Sequence, residues 1–134
     1  MALYQSSIHH QPPEFDGTRI SVMSSHVLAE NWRLPDPRIV EKVTYDEWWP
    51  ELAPPMKVVG DYYKKRITLE KLFEIYEMYL RTEVERQDRI HELVEMALAG
   101  NALVMCDEDD HRRCHRSVLL DVIEEHYLGV VIFR

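Results

Sequence analysis

The sequence predicts an α/β fold in which a small central, mainly parallel sheet is flanked by helices. Three features of the 134 residues lead to this prediction. Short strand-like segments lie near both ends, long amphipathic segments lie in the middle, and a fully apolar run, Ala102–Cys106, follows them. Because strands that alternate with helices form parallel sheets, we expect a single α/β domain over residues 1–134.

Two strands and a loop are predicted in the N-terminal third. Leu3–Ile8 has a strand-like composition and ends in a turn-rich stretch, and Arg19–Met23 alternates apolar with polar side chains. Residues 31–41 contain Pro35 and Pro37, each of which disfavours helical angles in the residue before it. We therefore expect two strands that enter the sheet, followed by an ordered surface loop.

A short helix is predicted after this loop. Thr44 and Glu47 stand at the spacing of a capping box, in which side chains satisfy free N–H groups at a helix N-terminus. The helix would carry Trp48 and Trp49 and would be cut at Pro50, whose ring interrupts helical hydrogen bonding. We expect the two indoles to anchor this helix to the core.

Two longer helices follow, with a break near Thr82. Thr68 is a suitable N-cap, and apolar residues recur after it at spacings of three and four. Thr82 and Glu85 form a second capping-box pattern, and Gly100 suits the position just beyond a helix C-terminus. The expected core faces are Leu69, Leu72, Phe73, Tyr76 and Leu80 in the first helix, and Ile90, Leu93, Val94, Ala97 and Leu98 in the second.

The C-terminal part predicts a strand, a helix and a last strand. Ala102–Cys106 is short and wholly apolar, as strands buried on both faces of a parallel sheet are. Asp109 or Asp110 caps the next helix, Gly129 ends it, and residues 130–134 form the last strand. The two strands are expected to be parallel, with a right-handed connection.

Composition limits the partners and the compartment. The 24 acidic and 16 basic side chains give a net charge of −8, which opposes binding to nucleic acid and to anionic membranes. The N-terminal residues lack the features of a signal peptide, and no apolar segment approaches the roughly 18 residues that span a bilayer. We expect a cytoplasmic protein with reduced thiols, no cofactor, and a small molecule or a protein as its partner.

The strongest candidate site surrounds the two cysteines. Ligands of open α/β sheets bind beyond the carboxyl ends of the strands, and Cys106 ends the most buried predicted strand. Cys114 and His115 lie in the first turn of the next helix, where the helix dipole favours a thiolate. The segment between the cysteines carries charges of both signs, so the net effect on the pKa of either thiol stays open. The four carboxylates belong to Asp107, Glu108, Asp109 and Asp110, and the two guanidinium groups to Arg112 and Arg113.

Two hypotheses for this segment meet chemical objections. Cys106 and Arg112 have the C-x5-R spacing of phosphatase-like loops, but the acidic loop between them has no glycine and would repel a phosphate. Cys106, His111, Cys114 and His115 are suitable zinc ligands by type. Their spacing matches no standard zinc pattern, and adjacent residues on a helix point to different sides, so we predict no metal site.

Two further hypotheses stay open. In one, either thiol is a nucleophile and the other resolves the intermediate, with His115 as the base and Arg116 as an anion clamp. In the other, both cysteines are structural, because cysteine is among the most frequently buried residue types. Cys106 would then end a core strand, and Cys114 would fill the interface between helix and sheet.

A second group of polar residues belongs to the neighbouring predicted strand. Arg19, Ser24 and His26 would help to bind a small polar or anionic ligand if that strand lies beside the Cys106 strand. The alternative is a strand that ends in a hydrogen-bonded turn.

Several segments together resemble a known family. GTRISVMSSHV, PDPRI, YDEWWPELAPP, VVGDYY and the C-x7-C-H-R pattern of Cys106 to Arg116 are similar, in this order, to the bacterial and archaeal family called domain of unknown function 488. The similarity runs from about Ser6 to the last strand.

The resemblance implies site residues rather than a reaction. The family pattern includes both cysteines, a Glu two positions after the first, here Glu108, and His115 with Arg116 after the second. Family members read Met-Ser-Arg-His where this chain has Ser25 in the third position, which weakens an anion-binding role for that strand end. A related branch has Asn-His in place of Cys-His, which argues against obligatory thiol chemistry for the fold.

The sequence thus leads to two functional hypotheses. The first is a thiol-dependent small-molecule or redox enzyme in which Cys106, Cys114 and His115 are catalytic. Glu108 and Arg116, with Arg19, Ser24 and His26, would bind the ligand. The second is a non-catalytic interaction or adaptor domain with structural cysteines, which meets a protein partner through residues 48–55 or through its acidic surface.

Overall fold

The computed structural model describes residues 1–134 and contains one sheet of five strands. The spatial order is β3-β2-β4-β1-β5, and every neighbouring pair is parallel. This confirms the predicted α/β fold with a parallel sheet. The strands are β1 (Leu3–Ser7), β2 (Thr18–Ser21), β3 (Glu47–Trp48), β4 (Ala102–Cys106) and β5 (Ile132–Phe133).

Four α-helices connect the later strands. Three of them, α1 (Met56–Tyr63), α2 (Leu69–Thr82) and α3 (Val84–Ala99), lie between β3 and β4, and α4 (His115–His126) joins β4 to β5. Short 3-10 turns occupy Pro50–Leu52 and His111–Arg113. None of these helices combines the length and the apolar character that crossing a membrane requires.

Strand β4 is the centre of the sheet because all five of its side chains are apolar and buried. It pairs with β1 on one side and with β2 on the other. The last strand does not pair with β4, because β1 lies between them. The carboxyl ends of β1, β4 and β2 therefore meet at one edge, with Cys106 in the middle.

The sheet has a helical face and a loop face. Neighbouring residues of a strand point to opposite faces, and Ser21 of β2 pairs in register with Met105, the residue before Cys106. Cys106 thus faces the helices, where His115 of α4 contacts it. Ser21 faces the loops, where its hydroxyl forms a 2.7 Å hydrogen bond with His26.

The prediction of a helix around Trp48 and Trp49 is wrong. Glu47 and Trp48 form the short strand β3, which pairs with β2, and the Trp48 indole donates a 2.7 Å hydrogen bond to the Met23 carbonyl. The Thr44 hydroxyl does not cap a helix, because it bonds the Val40 backbone instead. Contacts with a neighbouring strand outweigh the local capping pattern here.

Helix boundaries near the site also differ from expectation. Thr68 caps α2 by accepting from the Lys71 N–H, as predicted, but Thr82 still belongs to α2 and the break falls at Glu83. Asp110 caps the 3-10 turn rather than α4. Helix α4 begins one turn later, at His115, with Cys114 as its N-cap.

Gly17 shows how tightly β2 begins against β4. A Cβ atom at this position would lie 2.2 Å from the Asn101 backbone oxygen, which itself accepts from the Thr18 N–H. The two chain segments must separate to accept any side chain. Gly17 therefore permits the close approach that starts the β2–β4 pairing.

We expect Gly17→Ala to destabilise the protein by about 1–3 kcal/mol, because backbone atoms rather than a flexible side chain must move. Urea unfolding followed by circular dichroism measures this change in the free energy of unfolding. Gly129→Ala is the matched control, because no atom lies within 4 Å of the added Cβ. Equal stability of the two variants would contradict the prediction.

Candidate functional site

Cys106, Cys114 and His115 come together at the carboxyl end of β4. His115 Nδ1 lies 3.6 Å from Cys106 Sγ and 3.8 Å from Cys114 Sγ. The three atoms all lie within 4.8 Å of one another, and both cysteines are free thiols. One imidazole nitrogen thus faces two thiols.

The convergence depends on the backbone at Cys114. Cys106 is the last residue of β4, and Cys114 has extended angles, φ −125° and ψ 149°, because it is the N-cap of α4 rather than part of the helix. The sequence-based expectation that Cys114 and His115 point to different sides is therefore wrong. That expectation assumed helical spacing, which begins only at His115.

The hydrogen bond at the far side of the ring fixes the tautomer of neutral His115. Its Nε2 lies 2.6 Å from the Val22 carbonyl oxygen, which can only accept, so Nε2 carries a proton. Nδ1 of the neutral ring is then an acceptor directed at the two thiols. The Tyr76 ring packs edge-on against the imidazole, with centroids 5.3 Å apart, and helps to hold this orientation.

The two thiols differ in acidity. Burial opposes ionisation of Cys114, but a hydrogen bond from Cys106 and the neighbouring His115 outweigh it and hold the Cys114 pKa well below its ordinary value. The same hydrogen bond, followed by burial, raises the pKa of Cys106 well above its ordinary value. Cys114 is therefore the thiolate of the pair, and Cys106 keeps its proton.

Arg116 lies behind the thiols and is completely buried. Its guanidinium donates to the Gln5 side chain at 2.8 Å and to the Asp109 carbonyl at 3.1 Å, while one nitrogen, Nη1, has no hydrogen-bond partner. No carboxylate pairs with it, and its charge lowers the pKa of both thiols. A buried, uncompensated cation favours an anion nearby, and the thiolate supplies one.

A cavity of about 190 Å³ opens beside the thiols. Its polar end is formed by both cysteines, His115 and the loop that follows β4, and its apolar end by the loop after β2 and by α1 and α2. This is enough space for a small organic molecule or for one end of a larger one. The apolar end includes Met23, Trp32, Val59, Leu69, Leu72 and Phe73.

The predicted ligand-binding residues fall into two groups. Glu108 and Ser24 line the cavity, as do Cys106, Cys114 and His115. Burial, followed by the charges of neighbouring anionic groups, raises the pKa of the Glu108 carboxyl.

Arg116, Arg19 and His26 do not line the cavity. Arg19 forms a two-pronged ion pair with Asp46, with nitrogen–oxygen distances of 3.1 and 3.3 Å, on the loop face of the sheet. The His26 ring packs on Trp48 on that same face, with centroids 4.3 Å apart. The alternation of side chains along β2 separates these residues from Cys106.

The phosphatase-like spacing does not form a phosphate cradle. Arg112 is exposed and pairs with the Asp110 carboxylate at 3.1 Å within the same turn. It does not line the cavity that Cys106 reaches. Its guanidinium is thus directed to the turn itself rather than to a ligand above Cys106.

The thiol cluster has the atom types of a metal site. Cys106, Cys114 and His115 could supply three of the four ligands that zinc uses, whereas His111 is not part of the cluster. The buried Arg116 charge next to the thiols opposes a second cation. We therefore expect the cluster to hold no metal, and the zinc content of the purified protein tests this expectation.

Two contacts at the site were not anticipated from the sequence. His9 Nε2 lies 2.7 Å from the Asp107 carboxylate, and His10 Nδ1 lies 2.6 Å from that of Asp109. These pairs hold the loop after β4 against the end of β1. The complementary residues were visible in the sequence, but pairing them requires knowing that β1 and β4 are neighbours.

Tyr63 and the helix that carries it were also missed. Burial, followed by the charges of Asp107 and Glu108, raises the pKa of Tyr63 to about 12, so its phenol stays protonated beside the cavity. Helix α1 has no fully buried residue, but Met56, Val59 and Tyr63 stand at helical spacing and line the cavity, so this spacing was the signal that could have identified it. Its role in the structure is to form a wall of the cavity.

Comparison with known proteins identifies the family of this chain. Searches of curated proteins and of solved structures found no match. A family model described as the active DUF488-N3 subclade, DUF488-N3a, matches residues 7–127, which include both cysteines, Glu108, His115 and Arg116. The chain therefore belongs to the domain of unknown function 488 family, as its sequence motifs predict.

Proposed function

We propose that the protein is a thiol-dependent redox enzyme that reduces the disulfide bond of a small molecule. The observation that carries the proposal is the position of His115 Nδ1, within 3.8 Å of both cysteine sulfurs at the end of a cavity. A nucleophile, a resolving thiol and a shared proton carrier are the three groups that such a reaction needs.

The first step is attack by the Cys114 thiolate on one sulfur of the substrate disulfide. A bond forms between Cys114 Sγ and that sulfur, the substrate S–S bond breaks, and the other half leaves as a thiolate. The proton that Cys114 loses on ionising is held on His115 Nδ1, and the ring gives it to this leaving thiolate. The first product thiol is released, and the second half of the substrate stays on Cys114 as a mixed disulfide.

The second step uses Cys106. His115 Nδ1 now accepts the Cys106 proton, and the Cys106 thiolate attacks Cys114 Sγ. A Cys106–Cys114 disulfide forms, and the second half of the substrate leaves and takes the proton from His115. Two electrons pass from the two cysteines to the substrate, and a cellular thiol or dithiol reduces the enzyme again.

The expected compartment and the size of the cavity both support the reduction of a small disulfide. Thiol pools of that compartment would keep both cysteines reduced between turnovers. The cavity of about 190 Å³ fits a small molecule rather than a folded protein substrate.

The adaptor hypothesis has less structural support. It places a partner on residues 48–55, where Trp49, Leu52 and Ala53 are buried. Tyr76 donates a 2.5 Å hydrogen bond to the Leu52 carbonyl, and Arg86 donates to the Ala53 carbonyl. Most of this segment therefore binds the helices of its own chain, and the apolar surface left to a partner is mainly the Trp48 indole, which is 41% exposed.

Alkylation by iodoacetamide at pH 7 tests the thiol pair directly. The reagent is small enough for the cavity, and we expect Cys114 to react at least about tenfold faster than free glutathione, because only the thiolate reacts. Peptide mass spectrometry over time assigns each rate to one cysteine. His115→Gln should slow Cys114, because the imidazole that stabilises its thiolate is gone.

His111→Gln is the matched control, since its side chain has no hydrogen bond and does not line the cavity. Equal and slow labelling of both cysteines would overturn the proposal. One equivalent of zinc in the purified protein, with labelling restored by a chelator, would also overturn it in favour of a metal site.

A further inference from the structure

We infer that the substrate carries an ammonium group close to its reactive sulfur, because two carboxylates and a cluster of aromatic rings line the cavity next to the thiols. The inference rests on the proposed function and adds the chemical class of its substrate. Its basis is the arrangement of charges and rings around the cavity rather than the thiols themselves.

The carboxylates follow the cysteine directly. Asp107 and Glu108 are the first two residues after Cys106, and both line the cavity. Asp107 is held by His9, yet its side chain remains 44% exposed, and Glu108 has no hydrogen bond or ion pair. A carboxylate without a partner at the mouth of a binding cavity is available to a cationic ligand.

Cations of the protein only partly balance these charges. Arg113 is the single lysine or arginine that lines the cavity, and it is exposed and forms no ion pair. The imidazolium of His115 is balanced by the Cys114 thiolate in the reactive state. The buried Arg116 guanidinium does not line the cavity. The cavity wall therefore presents two carboxylates against one guanidinium.

The excess of negative charge affects the Glu108 carboxyl. Glu108 has a raised pKa because of its burial and because Asp107 and the Cys114 sulfur repel its charge. A ligand cation would relieve that repulsion. Because the charge on the Cys114 sulfur raises the pKa of Glu108, the two groups are close enough for one bound cation to interact with both.

Aromatic rings complete the wall. Trp32 and Tyr63 pack edge to face with ring centroids 5.6 Å apart, and Tyr62 lies 5.4 Å from Tyr63. All three line the cavity together with Phe73. The faces of such rings attract cations, most strongly where water is partly excluded. A carboxylate beside aromatic rings thus suits an ammonium group better than a neutral or anionic one.

Three disulfides of similar length separate the charge preference from the reaction itself. Cystamine carries two ammonium groups, bis(2-hydroxyethyl) disulfide is neutral, and dithiodiglycolate carries two carboxylates. The enzyme is assayed for kcat/KM with each, and each value is divided by the rate of the same disulfide with free dithiothreitol. We expect cystamine to exceed the neutral compound by about five- to tenfold, and dithiodiglycolate to fall below it.

Glu108→Gln should reduce the preference for cystamine over the neutral disulfide by about threefold or more, as the loss of one nearby charge predicts. Glu14→Gln changes the net charge equally at an exposed residue that does not line the cavity, and should leave the preference as it is. Turnover of the neutral disulfide with no preference, or with dithiodiglycolate favoured, would overturn this inference alone. Failure to reduce any of the three would overturn the proposed function.

Discussion

Replacing Cys114 with serine is expected to lower the rate of disulfide reduction on the order of a thousandfold or more. The serine hydroxyl is not ionised beside His115 and cannot form the mixed disulfide, so the first bond-forming step is lost. Serine is close to cysteine in size, and its hydroxyl suits the N-cap position that Cys114 occupies at the start of α4, so the fold should persist. Steady-state turnover of bis(2-hydroxyethyl) disulfide measures the effect.

Cys106→Ser is the informative partner variant. The first step still occurs, but no thiol remains to attack Cys114, so the mixed disulfide accumulates. Intact-protein mass spectrometry should show the mass of the variant plus one half of the substrate. Added dithiothreitol should remove this adduct. In Cys114→Ser the same treatment should leave the mass unchanged.

The reverse pattern would change the assignment of roles. If Cys114→Ser accumulated the adduct and Cys106→Ser did not, then Cys106 would be the attacking thiol. If both single variants kept wild-type turnover, the cysteines would be structural, as the competing sequence-based hypothesis holds. Circular dichroism and a thermal unfolding curve for each variant show whether the fold is intact.

Much of the fold was predictable because it depends on local patterns. The apolar run at β4 and the three- and four-residue spacing in α2 and α3 identified the central strand and two helices. The patterns failed where distant contacts decide the structure. Trp48 joins a strand because β2 lies beside it. Strand order was equally inaccessible, since it depends on the packing of whole elements.

The site was predictable in composition but not in geometry. The sequence placed Cys106 at a strand end and Cys114 near a helix start, and both line the cavity. It could not show that the N-cap angles of Cys114 turn its sulfur toward His115, because these angles depend on the 3-10 turn before it. Arg116 is the clearest case. The same C-H-R motif that suggested an anion clamp for a ligand contains an arginine with no exposure at all.

Arg116 is expected to act through the thiols rather than on the substrate. Its buried charge favours the thiolate form, so Arg116→Met should raise the pKa of both thiols. The pH profile of alkylation then moves to higher pH. A shift of one unit corresponds to about 1.4 kcal/mol and makes the reaction roughly tenfold slower at pH values below the midpoints of both profiles. At a pH above both pKa values, wild type and variant should react at similar rates.

The pH profile separates this role from a merely structural one. Loss of the guanidinium leaves the Gln5 side chain and the Asp109 carbonyl without a donor, which costs about 1–3 kcal/mol for each buried acceptor, so Arg116→Met is compared with Arg116→Lys. The lysine keeps the charge but not the geometry, and it should keep the wild-type profile if charge is the cause. Arg112→Met removes an exposed arginine one turn away and should change nothing. A folded Arg116→Met protein with an unshifted profile would show that the buried charge does not control the thiols.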